Sequence, residues 1–165
     1  AAPGERPRRL VLAAPAHPCW QPTLGQRFLL RPLPARCGAW LGARAPAGWQ
    51  RRLLARCYAD ATRISELALA DYARTLGQPR LGRAVAGYGR GFAGHQSALR
   101  AALRHNATPT LLLWGDRDPV VPTSTAAALA AALPQSRLVV LPGCGHLPFA
   151  EAPDAFAAAV LPFLH

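Results

Sequence analysis

Methionine and lysine are absent from these 165 residues, acidic side chains number only 8, and no apolar stretch is long. Without a methionine, neither the native start nor a targeting segment can be read from Ala1 onwards. Pro, Gly or Arg interrupts every apolar run before the roughly 20 residues that a bilayer-spanning helix needs, which predicts a soluble protein with no membrane partner. The four cysteines, Cys19, Cys37, Cys57 and Cys144, form no C-x-x-C pair. Only His17 and Cys19 lie close enough for half a metal site, and the second half is missing. The cysteines therefore read as isolated thiols in a reducing compartment such as the cytoplasm, with no metal and no disulfide framework. The scarcity of acid leaves a formal charge of +11, yet every basic side chain is an arginine, and these are scattered from Arg6 to Arg137. A nucleic-acid partner calls for a clustered basic face, so none is predicted. What the chain has in quantity is hydrophobic residues, 51% of the whole, enough for one domain with a core.

Along the chain, Arg8-Arg-Leu-Val-Leu-Ala-Ala14 is a short apolar run closed by Pro15, as suits a strand buried on both faces of a parallel sheet. Prolines at 18, 22, 32, 34 and 46 then break the text into turns and at most brief helices. Three amphipathic patterns follow. The first aligns Trp49, Leu53, Leu54, Cys57 and Tyr58. The second, with Asp60 as its cap, puts Ile64, Leu67, Ala68, Tyr72 and Leu76 on one stripe before Gly77 and Pro79. The third, over 96–105, aligns Leu99 and Leu103. After Pro109, Thr110-Leu-Leu-Leu-Trp114 is a strand run, 123–133 an alanine-rich helix stopped by Pro134, and Leu138-Val-Val-Leu141 another strand. A helix between two apolar strands is the crossover that parallel strands require. A last helix is predicted over 151–164, with Phe156, Val160 and Leu164 on one face and Pro162 loosening its final turn.

The chemistry is concentrated in two loops. Trp114-Gly-Asp-Arg-Asp-Pro-Val-Val-Pro122 leaves one strand, and Gly143-Cys-Gly-His-Leu-Pro148 leaves the next. Parallel strands end on the same sheet edge, so the two loops can bring Asp118 to His146. A carboxylate on one imidazole nitrogen fixes the tautomer and leaves the other nitrogen as a general base. A lone histidine is by default a satisfied loop residue; the flanking glycines and an ordered acid upstream favour the catalytic reading. Asp116 competes with Asp118 for the acid role, and with Asp118 as the acid it reads as a turn residue. Cys144 puts a thiol next to the base, where oxidation would be expected to matter.

With P-T-L-L-L-W-G-x-x-D-x-x-V-P and P-G-x-G-H in this order, residues 109–164 resemble the last third of an α/β-hydrolase, where the first motif supplies the triad acid and the second the base. The resemblance places the acid three residues after the glycine, at Asp118. It implies an α/β fold made of the C-terminal part of the hydrolase sheet, three parallel strands with flanking helices. Residues 1–15 would be the first core strand, 16–108 an inserted helical lid and 109–165 the core segment with acid and histidine. Trp20, Trp40 and Trp49 would then be candidates to line an apolar pocket for a small-molecule ester or acyl substrate. No cofactor is implied.

One part of the family pattern is missing. A nucleophile of this family sits on a G-x-S-x-G-type elbow upstream of the acid, and Ser65, Ser97, Ser124 and Ser136 all lie outside such a context. The oxyanion donors would come from that elbow and an earlier loop. The expectation is a fragment that is inactive alone, whose partner is the N-terminal half of the same fold. The expected parent is a serine esterase, lipase-like hydrolase or acyltransferase. An Asp nucleophile, as in epoxide hydrolases and dehalogenases, and a non-catalytic binding protein stand as alternatives. Gly89-Arg-Gly-Phe-Ala-Gly94 also spells a dinucleotide-binding fingerprint, but 81–88 is not the apolar strand that must precede it.

Overall fold

The computed structural model describes residues 7–29, 44–76, 78 and 80–165. The first apolar run forms β1, Leu10–Ala13. It ends at Ala14, which takes a left-handed φ of 42°, costing a residue with a Cβ on the order of 1 kcal/mol, just ahead of Pro15. The described part of the proline-punctuated stretch includes a short helix, α1, Leu24–Leu29. Four helices follow: α2 Ala47–Ala55, α3 Glu66–Leu76, α4 Leu81–Gly94 and α5 Gln96–Arg104. The crossover unit is β2 Thr110–Gly115, α6 Ala126–Ala132 and β3 Ser136–Leu141, and the chain ends with α7 Pro148–Glu151 and α8 Pro153–Leu164.

The expected three-stranded parallel sheet is present, in the order β1-β2-β3, with Leu10 opposite Thr110 and Ser136 on the far side of Thr110. Every residue of β2 is buried, as an apolar run without polar alternation requires. Its period of two sorts the core into two layers. Leu112 and Trp114 face one cluster with Trp20, Ala126, Leu129 and Leu133, against which Leu103 of α5 also packs. Leu111 and Leu113 face another with Leu141 and Cys144, covered by Phe156, Val160 and Phe163 of α8. Each of these leucines contributes about 2 kcal/mol by leaving water. At the foot of β1, Arg9 donates to the carbonyls of Phe163 and His165 and lies over the Phe163 ring, pinning the end of α8.

A third, smaller cluster is built from Leu54, Tyr58 and Ile64, with Leu69 and Tyr72 of α3 and with Leu147 and Ala150 from beyond His146. Through it, α2 and α3 rest on the loop that carries the histidine.

Three boundaries depart from expectation. Asp60 does not cap the long helix: its carboxylate accepts from Thr62 N at 2.9 Å and closes a 3-10 turn, Ala61–Arg63. Ile64 is extended, and the Ser65 hydroxyl accepts from Ala68 N at 3.0 Å, so Ser65 is the cap of α3. Leu67, in the first turn, is consequently 73% exposed, and the buried stripe runs through Leu69, Tyr72 and Leu76. The alanine-rich helix starts as a 3-10 turn, Thr123–Thr125, before α6. The last helix is two: Pro153 disfavours helical backbone at Ala152, which sits at φ −142°, ψ 65°, separating α7 from α8. Gly89 to Gly94 lies inside α4, in agreement with the rejection of that glycine pattern as a phosphate-binding turn.

Candidate active site

Asp118 and His146 meet at the carboxyl edge of the sheet, in the loops that leave β2 and β3. His146 Nδ1 donates to Asp118 Oδ2 at 2.9 Å. A carboxylate only accepts, so the proton resides on Nδ1, and Nε2 is left as the nitrogen for proton transfer. The carboxylate is itself fixed. Its Oδ1 accepts from Val120 N at 2.8 Å and Val121 N at 2.9 Å, an Asx-type turn that starts at Asp118 with Pro119 second, and its side chain is fully buried. The imidazole is 23% exposed, enough for a reacting group to reach it.

Beneath the acid loop, the Trp114 indole N–H donates to Val121 O at 3.0 Å. Asp116, the competing aspartate, is exposed and accepts from Cys144 N at 3.3 Å, tying the acid loop to the histidine loop. Arg117 N donates to Cys144 O at 2.9 Å, a second tie. These ties need glycines. A Cβ on Gly115 would stand 2.2 Å from the carbonyl oxygens of both Cys144 and Gly145, because the histidine loop crosses directly over it. Gly143 turns the chain with φ +66°.

Residues 57–63 hold the same loop from the other side. His146 N donates to Cys57 O at 2.8 Å, and the Arg63 guanidinium donates to Gly143 O at 3.1 Å. Glu151, 7% exposed, accepts from Gly145 N at 2.7 Å and from Ala59 N at 2.9 Å. Sequence reading placed Glu151 only at a helix start. The available signal was a carboxylate five residues after the histidine, in a half of the chain with very few acids.

The thiols near the site are poor nucleophiles. Burial first, then the Asp118 and Glu151 carboxylates, push the Cys57 thiol above its usual range. Burial and Glu151 do the same to Cys144, which is fully buried. Oxidation proceeds through an accessible thiolate, and the full burial of Cys144 disfavours it.

Of the three tryptophans singled out for a pocket, Trp20 is buried in the core cluster against the sheet, Trp49 is 44% exposed on α2, and Trp40 lies outside the described residues. A groove of about 450 Å³ runs between α2, α3 and the segment after the histidine, lined by Leu54, Tyr58, Tyr72, Leu147 and Phe149. His17 is buried with Nε2 3.0 Å from Thr125 Oγ1, and together with Cys19 it gathers no third ligand: among the described residues no group of three metal-binding side chains occurs. No helix among the described residues is long and apolar enough to cross a membrane.

Comparison with known proteins gives concordant findings. Over 62 residues, 38% of this chain, it is 40% identical to the pimeloyl-[acyl-carrier protein] methyl ester esterase of Nitrosomonas europaea, a match that covers 25% of that protein. The fold is similar to the meta-cleavage product hydrolase of Pseudomonas fluorescens IP01, with a TM-score of 0.69 and 21% identity over 94% of this chain and 55% of that one. It is also similar to a thermophilic esterase from Thermogutta terrifontis, with a TM-score of 0.66 and 23% identity over 95% of this chain and 55% of that one. The chain thus spans about half the length of these solved structures, and the match to the curated relative covers a quarter of that protein. The family model of the α/β hydrolases matches residues 1–159, and the chain belongs to that family.

Proposed function

We propose that Asp118 and His146 are the acid and base of a catalytic triad for ester hydrolysis, and that the nucleophile comes from a segment outside these 165 residues. The observation that carries this reading is the 2.9 Å bond from a partly exposed imidazole to a buried, doubly anchored carboxylate. A hydroxyl nucleophile would lose its proton to His146 Nε2 as its oxygen bonds to the acyl carbon. His146 would then pass that proton to the departing alkoxide, and water would repeat the cycle to free the acid. Asp118 would hold the tautomer and stabilise the imidazolium while it lasts.

The substrate class follows from the surfaces beside the base. Residues 47–76, part of the 16–108 lid, form with Leu147, the residue next to His146, a groove with mainly apolar walls. Trp49 adds an exposed indole on the same segment. These surfaces suit an ester with an apolar acyl part. The esterase relatives support the reaction class.

The test is complementation with a segment bearing a G-x-S-x-G elbow, supplied in trans or by fusion, assayed on a short-chain p-nitrophenyl ester. The isolated chain should show no hydrolysis beyond free imidazole. The complemented protein should show saturable turnover that His146→Ala lowers by roughly a thousandfold or more, and Asp118→Asn comparably. Saturable turnover by the isolated chain that disappears with His146→Ala would remove the need for an outside nucleophile. Turnover of the complemented protein indifferent to His146 would end the triad reading.

A further inference from the structure

Glu151 lies outside the acid and base pair, yet it is among the most buried charged residues described, at 7% exposure. Its two carboxylate oxygens are committed to different parts of the chain. Oε1 accepts from Gly145 N, the amide just before His146, at 2.7 Å, and Oε2 accepts from Ala59 N, in the lid, at 2.9 Å. The same segment returns the contact, since Cys57 O accepts from His146 N at 2.8 Å. The histidine loop is therefore gripped by three hydrogen bonds that close a ring through Glu151, residues 57–59 and residues 145–146. There is no slack in that ring: a Cβ on Gly145 would lie 2.5 Å from Ala59 N and 2.7 Å from both Cys57 O and Glu151 Oε1.

We propose that Glu151 is a positioning residue, which by bridging Gly145 and Ala59 locks the backbone of His146 so that Nδ1 stays on Asp118. The proposal rests on the reading of Asp118 and His146 as a working pair. A carboxylate is suited to the task because it can accept at both oxygens. Glutamine has nearly the same shape but offers one acceptor and sets an N–H₂ against the other amide, so one arm of the bridge must open. The bridge also adjoins the groove: Tyr58 lies between the two lid residues that make the contacts, and Ala150 precedes Glu151, and both line it. The lid thus holds the base as well as covering it.

The experiment is NMR of the 165-residue chain, following the far-downfield proton of His146 Nδ1–H, the ring ¹⁵N shifts and amide exchange, in the native chain and in Glu151→Gln. In the native chain the downfield proton should be present, the ring should be a single Nδ1–H tautomer, and the Ala59 and Gly145 amides should exchange together. In Glu151→Gln, with β2 amides still protected, the downfield proton should broaden or vanish, the ring should become a tautomer mixture, and exchange at Ala59 or Gly145 should quicken at least tenfold. A downfield proton and tautomer unchanged in that variant would overturn the proposal while leaving the pair intact. Absence of the downfield proton in the native chain would sink the pair reading itself, and the proposal with it. Should Glu151→Gln not fold, native exchange decides: Ala59 exchanging as a free loop amide while Gly145 stays protected would overturn the bridge.

Discussion

Gly115 is the residue at which chain crossing and chemistry coincide. Any side chain there meets the Cys144 and Gly145 carbonyls at 2.2 Å, so Gly115→Ala must lift the histidine loop or displace β2. Overpacking against backbone costs about 1–3 kcal/mol, and urea unfolding of Gly115→Ala should show a loss in that range together with loss of the His146 to Asp118 bond. An unchanged midpoint would mean that the loops do not cross as described. His17 offers a second test. Thr125 Oγ1 spends its own proton on Pro122 O, so it accepts from His17 Nε2–H, and Nδ1 is left buried without a partner. Burial, reinforced by Arg100, lowers the His17 pKa from 6.5 to about 4. Between those two values the unfolded chain binds a proton that the folded chain refuses. The neutral ring's stabilisation is therefore complete above pH 6.5 and is lost as pH falls towards 4, a change on the order of 3 kcal/mol. Denaturation midpoints across this window should slope less in His17→Gln than in the native chain, and equal slopes would count against the buried neutral ring.

At the level of elements, β1 has β2 on one side only among the described residues. Leu10 N and Ala14 N donate towards the β2 side, to Pro109 O and Leu113 O, so alternation directs the N–H groups of Val11 and Ala13 to the open edge. An apolar edge with free donors invites pairing with another strand. Sedimentation should find concentration-dependent association of the isolated chain, and Ala13→Pro should reduce it, since proline removes an outward donor without breaking the β2 ladder. A chain that stays monomeric at high concentration would show that the edge is protected by other means. The same elements show what patterning conveys. The apolar runs at 10–14, 110–114 and 138–141 announced all three strands, but only β2 is buried on both faces; β1 is half-buried and Val140 of β3 is exposed. The start of α3 was misplaced because Asp60 and Ser65 are both competent caps, and only the extended backbone at Ile64 decides between them.

For the whole molecule, packing divides into a sheet with two covered faces and a small separate cluster built on Leu54, Tyr58 and Ile64. Native-state hydrogen exchange should reflect this. The amides of β2, buried throughout, should exchange only on global unfolding, whereas those of α2 and α3 should open at a lower free energy. Equal protection of both would indicate one cooperative unit.

The sequence alone determined the strand order along the chain, the parallel crossover and the two residues, Asp118 and His146, whose side chains meet at the sheet edge, because motif, spacing and strand ends are local properties. Tertiary structure decided which glycines are obligatory, that Asp116 braces a loop, that Trp20 packs in the core, and that Glu151 joins Ala59 to the histidine loop. Each of those depends on segments tens of residues apart touching, and close approach between distant segments leaves no periodic trace in a single sequence.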